Sequence, residues 1–472
     1  MKHKEIELIL SKQNASIVAP AGHGKTEMIV DLVEAAERKV LLVTHTNAGI
    51  DALSKRLKKR NIDNSRYSIT TIAGFALRWC TAYPHIANID LSISTTDKAY
   101  YPMQYNGAQL IFKHEWARSI VKNSYGYIIV DEYQDCILEQ HYIFEVINKS
   151  VPVIVFGDPL QAIFGWAGHL VSWKNMPFES VFVETFPWRW GNTNPKLGKY
   201  LSDIRTELLP GLENKKVTIS ISDIDDCTSI LPSTVKRDMS FLRLVRGYKS
   251  VLYITKWPRE QCAICQLSAG TFQNDEPQGL NELFDIAAVL DEANADKTCI
   301  KIYEFIQQCT NKVSQELGSY YNHITRGDYN FSRIKKHSEF GVLLLALHEA
   351  CCINNVIMVL EWVQKSSTFR IYRIELFTEL IRALRYARDN DMSIADAAQR
   401  IRTIPGLQKK YPGFKMLASR TLLSKGLEFE CVVIDVESGL SVTDYYVAMT
   451  RATKMIYLIS DKKRITLTAP KL

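Results

Sequence analysis

The first 185 residues alternate short apolar runs with longer amphipathic stretches, and this alternation predicts the architecture of the amino-terminal part. The apolar runs have the length of buried strands, whereas the stretches between them repeat apolar residues every three to four positions, as helices do. The predicted strands are Ser16–Ala19, Val40–Thr44, Ser68–Thr71, Tyr127–Val130, Val151–Phe156 and Ser180–Val183, and the predicted helices include Thr26–Glu37, Ala48–Lys59 and Gly107–Lys122. This pattern is typical of a mainly parallel sheet wrapped by helices, which binds ligands at the carboxyl ends of its strands.

The rest of the chain predicts a second α/β region that a helical segment interrupts. Strand patterns occur at Ser250–Thr255, Cys431–Val436 and Met455–Ser460. The residues between them show helical spacing over Asn281–Asn294, Lys301–Ser314, Phe340–Val363, Ile374–Asp389 and Ile394–Thr403. The sequence therefore predicts an α/β fold class with a mainly helical domain inserted into the second α/β domain.

Composition narrows the classes of protein that this chain can belong to. Its 472 residues are 46% hydrophobic, which is enough for several cores and suggests two to four domains. Apolar runs are too short to cross a bilayer, and the amino terminus carries no secretory segment. The ten scattered cysteines fit reduced thiols, so we expect a cytoplasmic protein, and the net charge of +7 mildly favours a polyanionic partner.

The string Ala21-Gly22-His23-Gly24-Lys25-Thr26 predicts a phosphate-binding loop between the first strand and the first long helix. Glycines let backbone N–H groups curl around phosphate oxygens, and the helix N-terminus adds positive potential there. In such a loop Lys25 binds the β- and γ-phosphates of a nucleotide, and Thr26 holds Mg²⁺.

Asp131 and Glu132 come directly after the apolar run that ends at Val130. One carboxylate can hold Mg²⁺, which prefers oxygen ligands, and its neighbour can accept a proton from an attacking water. A lone Asp-Glu pair at a strand end can also be a solvated turn. The phosphate-binding loop upstream favours the catalytic interpretation.

Further strings follow in a definite order along the chain. They are Gly157-Asp158-Pro159-Leu160-Gln161, Trp188-Arg189, Lys425-Gly426-Leu427-Glu428, and Thr450-Arg451. Together with the loop and the Asp-Glu pair, these strings resemble the motifs of the UvrD/Rep-like superfamily 1 helicases over residues 15–190 and 415–460. The compact layout is similar to that of the helicase-like subunit of the Gabija anti-phage system.

The resemblance implies two RecA-like P-loop NTPase domains that bind ATP and Mg²⁺. By this mapping Asp131 coordinates Mg²⁺, Glu132 activates water, and Gln161 couples the γ-phosphate to the DNA site. Arg189 and Arg451 match the arginines that stabilise charge on the transferring phosphoryl group. Trp188 matches an aromatic that stacks on adenine, and Glu428 a contact to the nucleotide sugar. A core position for Trp188 and a surface ion pair for Glu428 are the alternatives.

The resemblance also implies a groove for single-stranded DNA, or for DNA with single-stranded ends. The residues that match the groove are His45, Thr46, Asn47, Thr71 and Trp166. Trp166 lies where the family stacks a base, which suits single strands because every base has a π-face. A buried core position is the alternative for this tryptophan.

The predicted domains follow from the same mapping. The first RecA-like domain spans residues 1–185, with a short accessory subdomain at about 84–118. The second is divided into residues 186–272 and 411–472, and the helical insertion occupies residues 273–410.

Two functions from different classes fit this organisation. The first is an ATP-dependent DNA helicase or translocase that moves 3′ to 5′ on single strands. The second is a regulatory, DNA-sensing NTPase subunit of an anti-phage defence or repair complex, which controls a partner nuclease without processive unwinding. The short accessory subdomain motivates the second, because in the family that region helps to handle duplex DNA.

Overall fold

The computed structural model describes residues 1–90, 99–165, 167–276, 281–403 and 414–470. The chain forms two compact units. The first contains residues 1–229, 439–455 and 462–472, and the second contains residues 230–438 and 456–461. By packing, residues 186–229 therefore lie in the first unit, whereas the sequence assigns them to the second RecA-like domain. That assignment of domains stays a prediction.

The first unit is built on a five-stranded sheet with the strand order β1-β5-β4-β2-β3, in which all neighbouring strands are parallel. Its strands are β1 (Asn14–Val18), β2 (Val40–Thr44), β3 (Tyr67–Thr71), β4 (Tyr127–Val130) and β5 (Val153–Gly157). Its first eight helices are α1 (His3–Leu10), α2 (Lys25–Ala35), α3 (Asn47–Lys59), α4 (Ile72–Ala82), α5 (Pro84–Ala87), α6 (Tyr100–Lys113), α7 (Glu115–Ser124) and α8 (Leu138–Ile147).

Each central strand of this sheet feeds two apolar cores, one on either face. In β2, Val40 and Leu42 pack with helices α2 and α3, whereas Leu41 and Val43 pack with α4, α6 and α8. A parallel sheet covered on both faces needs apolar residues on both faces of its strands. This requirement explains why these strands are continuous apolar runs in the sequence.

After the sheet, the chain forms α9 (Trp188–Gly191), α10 (Pro195–Leu208) and β6 (Lys216–Ser220) within the first unit. The elements that follow are β7 (Thr228–Leu231), α11 (Val235–Asp238), α12 (Phe241–Val245), β8 (Val251–Ile254), α13 (Pro258–Leu267) and β9 (Gln273–Asn274). The helical insertion comprises α14 (Asn281–Asp291), α15 (Ala295–Cys309), α16 (Val313–Ile324), α17 (Ser338–Glu349), α18 (Ile353–Lys365), α19 (Ile374–Asn390) and α20 (Ile394–Thr403). The last elements are β10 (Met416–Ser419), α21 (Thr421–Ser424), β11 (Phe429–Asp435), α22 (Val442–Met449), β12 (Ala452–Ile459) and β13 (Arg464–Thr468).

The second unit carries a six-stranded sheet with the order β7-β12-β11-β8-β10-β9, and the helices of the insertion share one apolar core. The strand β13 pairs with β6 in an antiparallel two-stranded sheet. The predicted α/β fold class is confirmed: parallel strand pairs form both main sheets, helices accompany them, and the described residues between β9 and β10 are mainly helical.

Two groups of sequence predictions need correction. Ser180–Val183 is not a strand, because it meets the sheet edge only at an isolated bridge between Ser16 and Ser180, and Phe182 is 88% exposed. Three predicted helices are each divided where the backbone leaves the helical conformation. The breaks lie at His114 (ψ 134°), at residues 310–312, where Lys312 has φ of 60°, and at residues 350–352, where Cys352 has ψ of 158°.

Candidate functional site

The glycine-rich loop connects β1 to the 11-residue helix α2, which begins at Lys25. Gly22 and Gly24 have left-handed backbones, with φ of +72° and +84°. A Cβ atom at Gly22 would lie 2.6 Å from Cζ3 of Trp190, and one at Gly24 would lie 3.0 Å from Cδ1 of Trp188. Both positions therefore require glycine, for conformation and for space. A loop of this kind at a helix N-terminus suits an anion.

The side chain of Lys25 lies between two carboxylates. Its Nζ is 2.9 Å from Oδ1 of Asp131, it also pairs with Glu132, and only 12% of the side chain is exposed. Burial alone would lower the pKa of Lys25, but the charges of Asp131 and Glu132 outweigh it and raise the pKa. The ammonium group is therefore charged, and it neutralises much of the acidic pair.

Asp131 and Glu132 leave β4 in different conformations. The backbone N–H of Asp131 continues the sheet by donating to the carbonyl of Val43 at 2.8 Å. Burial raises the pKa of Asp131, and the Lys25 charge opposes this shift. Glu132 has φ of +57°, a conformation uncommon for a residue with a side chain, and Gln134 Nε2 donates to its Oε2 at 2.6 Å. The turn is thus held in one arrangement that presents two carboxylates beside Lys25.

A third acidic residue, Asp158, follows β5 directly and is fully buried. Its Oδ2 accepts hydrogen bonds from the backbone N–H of Ala21 at 3.2 Å and from Nε2 of Gln161 at 3.1 Å. Its own N–H donates to Oε1 of Gln134 at 3.0 Å. Sequence reasoning did not single out Asp158 or Gln134. The signal for Asp158 was present, because it stands at the end of a buried strand as Asp131 does.

The predicted aromatic-arginine segment forms α9 and lies against the glycine-rich loop. The backbone N–H of Arg189 donates to the carbonyl of Gly22 at 3.1 Å. Trp188 is 67% exposed beside Gly24, so it is not a core residue, whereas Trp190 is fully buried. The structure therefore brings Trp188 and Arg189 to the loop that carries Lys25.

The two predicted arginines meet at Thr450. Arg189 Nη1 donates to the carbonyl of Thr450 at 2.6 Å, and Arg451 Nη2 donates to its Oγ1 at 3.0 Å. Arg451 is buried, and its Nε donates to the carbonyl of Val447 at 3.0 Å. Both guanidinium groups thus belong to the first unit here.

Four of the predicted DNA-binding residues, His45, Thr46, Asn47 and Thr71, lie at the carboxyl ends of β2 and β3, two adjacent strands. Thr46 Oγ1 accepts from the N–H of Gly49 at 3.1 Å, and Thr71 Oγ1 accepts from that of Gly74 at 2.9 Å, so each hydroxyl caps the helix that follows. Asn47 is exposed in the first turn of α3. His45 Nε2 lies 3.5 Å from Sγ of Cys136.

The other predicted residues are more scattered. Trp166 lies outside the described residues. Glu428 is exposed just before β11, in the second unit. His23, within the glycine-rich loop, is buried, and Nδ1 hydrogen-bonds with the carbonyl oxygen of Ala21 at 2.8 Å. Burial lowers the pKa of His23.

The donor set near Lys25 fits Mg²⁺ rather than a metal held entirely by protein. Over the parts of the chain that the structure describes, no cluster of three or more His, Cys, Asp or Glu side chains could hold a metal ion. The Thr26 hydroxyl and the Asp131 carboxylate supply oxygen only. Mg²⁺ usually takes one or two protein oxygens and completes its shell with water and substrate phosphates.

Comparisons with known proteins agree with this geometry. Residues 2–166 match the model of a family described as AAA domain. The chain is 22% identical to Gabija protein GajB of Bacillus cereus (strain VD045), and the alignment covers 97% of this chain and 95% of GajB. None of the described helices is long and apolar enough to span a membrane.

Similar solved structures are helicases, at low identity. An arterivirus nonstructural protein 10 helicase in complex with DNA has a TM-score of 0.36 at 10% identity, and the match covers 97% of this chain and 63% of that one. The Pif1 helicase from Candida albicans has a TM-score of 0.35 at 10% identity, with 98% and 96% covered. The AAA-domain match and the similarity to GajB agree with the predicted resemblance to UvrD/Rep-like superfamily 1 helicases, and the likeness to GajB confirms the predicted similarity to the Gabija system.

Proposed function

We propose that this chain hydrolyses ATP in a DNA-dependent manner and moves 3′ to 5′ along single-stranded DNA. The observation that carries the proposal is the placement of Lys25, which follows the glycine-rich loop after β1 and pairs with both Asp131 and Glu132 at the carboxyl end of β4. A lysine that ends a glycine-rich loop, beside two carboxylates, is the arrangement expected of a site that transfers a phosphoryl group to water.

The residues take distinct roles in this proposal. The loop from Ala21 to Thr26 binds the phosphates, with the backbone N–H groups of Gly24, Lys25 and Thr26 as donors, because those of Ala21 and His23 are bonded within the protein. Lys25 exchanges its carboxylate partners for phosphate oxygens. Thr26 and Asp131 would hold Mg²⁺, which supplies positive charge to the phosphates when bound. Glu132 accepts the proton of the attacking water through one carboxylate oxygen. Gln134 donates to the other oxygen, Oε2, and keeps the carboxylate oriented.

Electrostatic stabilisation comes from Arg189 and Arg451. Their guanidinium groups are held at one place through Thr450, close to the loop because the Arg189 backbone is bonded to Gly22. Charge that develops on the transferring phosphoryl group is stabilised by such preorganised donors. Trp188 is exposed beside Gly24, where it is available to stack on adenine, and Glu428 is proposed as a sugar contact.

Coupling to DNA is assigned to the neighbouring strand ends. His45, Thr46, Asn47, Thr71 and Trp166 form the proposed groove for single-stranded DNA or single-stranded ends. Translocation would be the movement of single-stranded DNA through this groove, driven by ATP hydrolysis. The direction of movement rests on the resemblance to UvrD/Rep-like helicases.

The second candidate is a regulatory NTPase subunit that controls a partner nuclease. Similarity to GajB over nearly the whole of both chains favours it, because the compact layout is shared from end to end. In this candidate the same ATP site senses DNA ends or nucleotide concentration, and sustained unwinding is absent.

One set of assays tests both candidates. ATP hydrolysis is measured without DNA, with single strands and with blunt duplexes, and strand displacement is measured on duplexes with a 3′ or a 5′ tail. Stimulation by single strands and displacement of 3′-tailed duplexes alone support the translocase. Hydrolysis without displacement, together with a stable complex with a nuclease, supports the regulatory subunit, whereas hydrolysis indifferent to DNA contradicts the translocase and a regulatory subunit that senses DNA.

A further inference from the structure

A buried ion pair lies behind the glycine-rich loop, and although Asp158 stands within a predicted motif, nothing in the sequence pointed to its partner Arg205. Arg205, on α10, donates from Nη1 to Oδ1 of Asp158 at 2.7 Å. The Asp158 side chain is 0% exposed and that of Arg205 is 12% exposed. Both residues belong to the first unit.

The Asp158 carboxylate joins several parts of the site. Oδ2 accepts from the N–H of Ala21 and from the side-chain amide of Gln161, and Oδ1 accepts from the N–H of Leu160 at 3.2 Å and from Arg205. A carboxylate offers about four acceptor sites, so these donors use its full capacity. One buried anion thus fixes both the start of the phosphate-binding loop and Gln161.

Tyr446, on α22, closes this arrangement from the other side. The Arg205 guanidinium lies 5.6 Å from the centre of the Tyr446 ring. Tyr446 precedes Thr450, which holds Arg189 and Arg451, on the same short segment. The ion pair therefore adjoins the helix that leads to Thr450, the residue to which both candidate arginines are bonded.

A buried carboxylate without a cation is unfavourable, and it either takes up a proton or moves toward water. Either response would disturb Asp158, since a protonated oxygen donates where it now accepts. Ala21 and Gln161 would then lose their common acceptor. Arg205 is the cation that prevents this.

We propose that Arg205 is a positioning residue for hydrolysis, which acts through Asp158 to hold the Ala21 peptide and the Gln161 amide in place. Arg205 does not touch the substrate in this proposal. The proposal rests on the ATPase activity proposed above, and it adds that α10 sets the geometry of the site.

The decisive variants are Arg205→Met, Arg205→Lys and Asp158→Asn, with the double variant of Arg205→Met and Asp158→Asn. The matched control is Lys199→Met, which removes an exposed cation from the same helix. For each protein, kcat and KM for ATP, binding of a fluorescent ATP analogue and the unfolding temperature are measured. Rates are normalised to folded protein.

We expect Arg205→Met to lower kcat by about 10- to 100-fold, since small misplacements of catalytic groups have effects of this size. Arg205→Lys keeps the charge and should recover part of this loss. In the Asp158→Asn background, Arg205→Met should change kcat less than about threefold, because its effect passes through the missing carboxylate. Lys199→Met should behave as the unmodified protein.

A purely structural role predicts different results. If Arg205→Met lowers the unfolding temperature but leaves kcat per folded molecule unchanged, the proposal is wrong. Independent, multiplicative effects of the two single substitutions on kcat would also overturn it. If Arg205→Met does not fold, Arg205→Lys and Asp158→Asn decide the question by the same criteria.

Failure of the ATPase proposal itself is recognisable. In that case the unmodified protein does not hydrolyse ATP, and binding of the fluorescent analogue remains as the readout. Weaker analogue binding in Arg205→Met, but not in Lys199→Met, would then still support positioning of the loop, whereas equal binding in all variants would refute it.

Discussion

The two halves of the parallel sheet in the first unit present very different strand ends. The ends of β1, β4 and β5 lead to buried charges that contact one another: Lys25 with Asp131 and Glu132, and Asp158 with Arg205. The ends of β2 and β3 lead to hydroxyl groups that cap the following helices, at Thr46 and Thr71. Equivalent positions in one sheet thus lead to paired charges in one half and to side chains that cap helices in the other.

The difference teaches how to judge a predicted site. Buried charges cost free energy unless they are paired, so a cluster such as Lys25, Asp131 and Glu132 indicates a function that stability alone does not require. A threonine before a helix has a sufficient structural explanation in the cap that it forms. The proposed ATP site is therefore supported by its own geometry, whereas the proposed DNA contacts are supported mainly by the resemblance.

The largest expected effect is the loss of hydrolysis in Lys25→Ala. This substitution removes the proposed phosphate contact and leaves the buried Asp131 and the half-buried Glu132 as adjacent acids without their cation. We expect no hydrolysis above background, together with a loss of stability of about 3–5 kcal/mol from the broken buried pairs. ATP turnover and denaturant unfolding measure the two effects.

The control for this change is Lys58→Ala, an exposed lysine in α3. It should leave turnover unchanged. Persistent ATP turnover in Lys25→Ala would contradict the assignment of the glycine-rich loop as the phosphate-binding site. Neither half of the sheet would then have support for a catalytic role.

The next effect concerns the proposed base. Glu132→Gln keeps the shape of the side chain and an oxygen that can accept from Gln134, but it cannot take up a proton. We expect kcat to fall by about 100- to 10,000-fold, with KM for ATP little changed. The matched control is Glu179→Gln on the surface, where an ion pair with Lys12 is lost. A rise in KM without a fall in kcat would instead make Glu132 a binding residue.

A smaller effect tests the other half of the sheet. Thr46→Ala and Thr71→Ala each remove a helix cap and should lower the free energy of unfolding by about 1 kcal/mol, whereas Thr→Ser at either position should keep the cap. Chemical denaturation measures this difference. Alanine variants as stable as the unmodified protein would show that the hydroxyls are not needed as caps, and would strengthen a direct role in DNA binding.

The smallest effect is a pH dependence that comes from His23. Burial lowers its pKa in the folded protein, while in the unfolded chain it titrates near its ordinary value of about 6.5. Neutral His23 therefore makes its full contribution to the free energy of unfolding above about pH 6.5. This contribution is lost as the pH falls from there through the lower pKa of the folded protein. Each unit of depression corresponds to about 1.4 kcal/mol at most.

His23→Gln removes this contribution, so the unfolding free energy should fall less steeply below pH 6.5 than in the unmodified protein. Burial also lowers the pKa of His141, but that residue is present in both proteins and cancels in the difference. Parallel pH profiles for the two proteins would contradict the assignment.

The sequence predicted the elements that depend on local pattern. The strands β1 to β5 were found within a few residues, because strands buried on both faces must be apolar throughout. Asp131 was singled out because it follows such a strand, Lys25 because it ends the glycine-rich string, and Gln161 because of the resemblance, and their roles stay predictions. Ser180–Val183 was misassigned because an apolar segment at a sheet edge has the same pattern as a strand, although its neighbour offers only one bridge.

Residues that act through distant partners gave no local signal. Arg205 lies in the middle of an amphipathic helix, where an arginine is ordinarily a surface residue, and Tyr446 lies in a short apolar helix. Only the packing of α10 and α22 near the end of β5 makes them part of the site.

The sequence by itself determined the α/β class, the glycine-rich loop and the acidic strand end, because strand burial and phosphate binding each demand particular residues at short spacing. The tertiary structure alone decided which charges meet: Lys25 with two carboxylates, Asp158 with Arg205, and both arginines with Thr450. Charges far apart in the chain acquire defined partners only when strands and helices bring them out of water together, since a buried charge is tolerated only beside its partner.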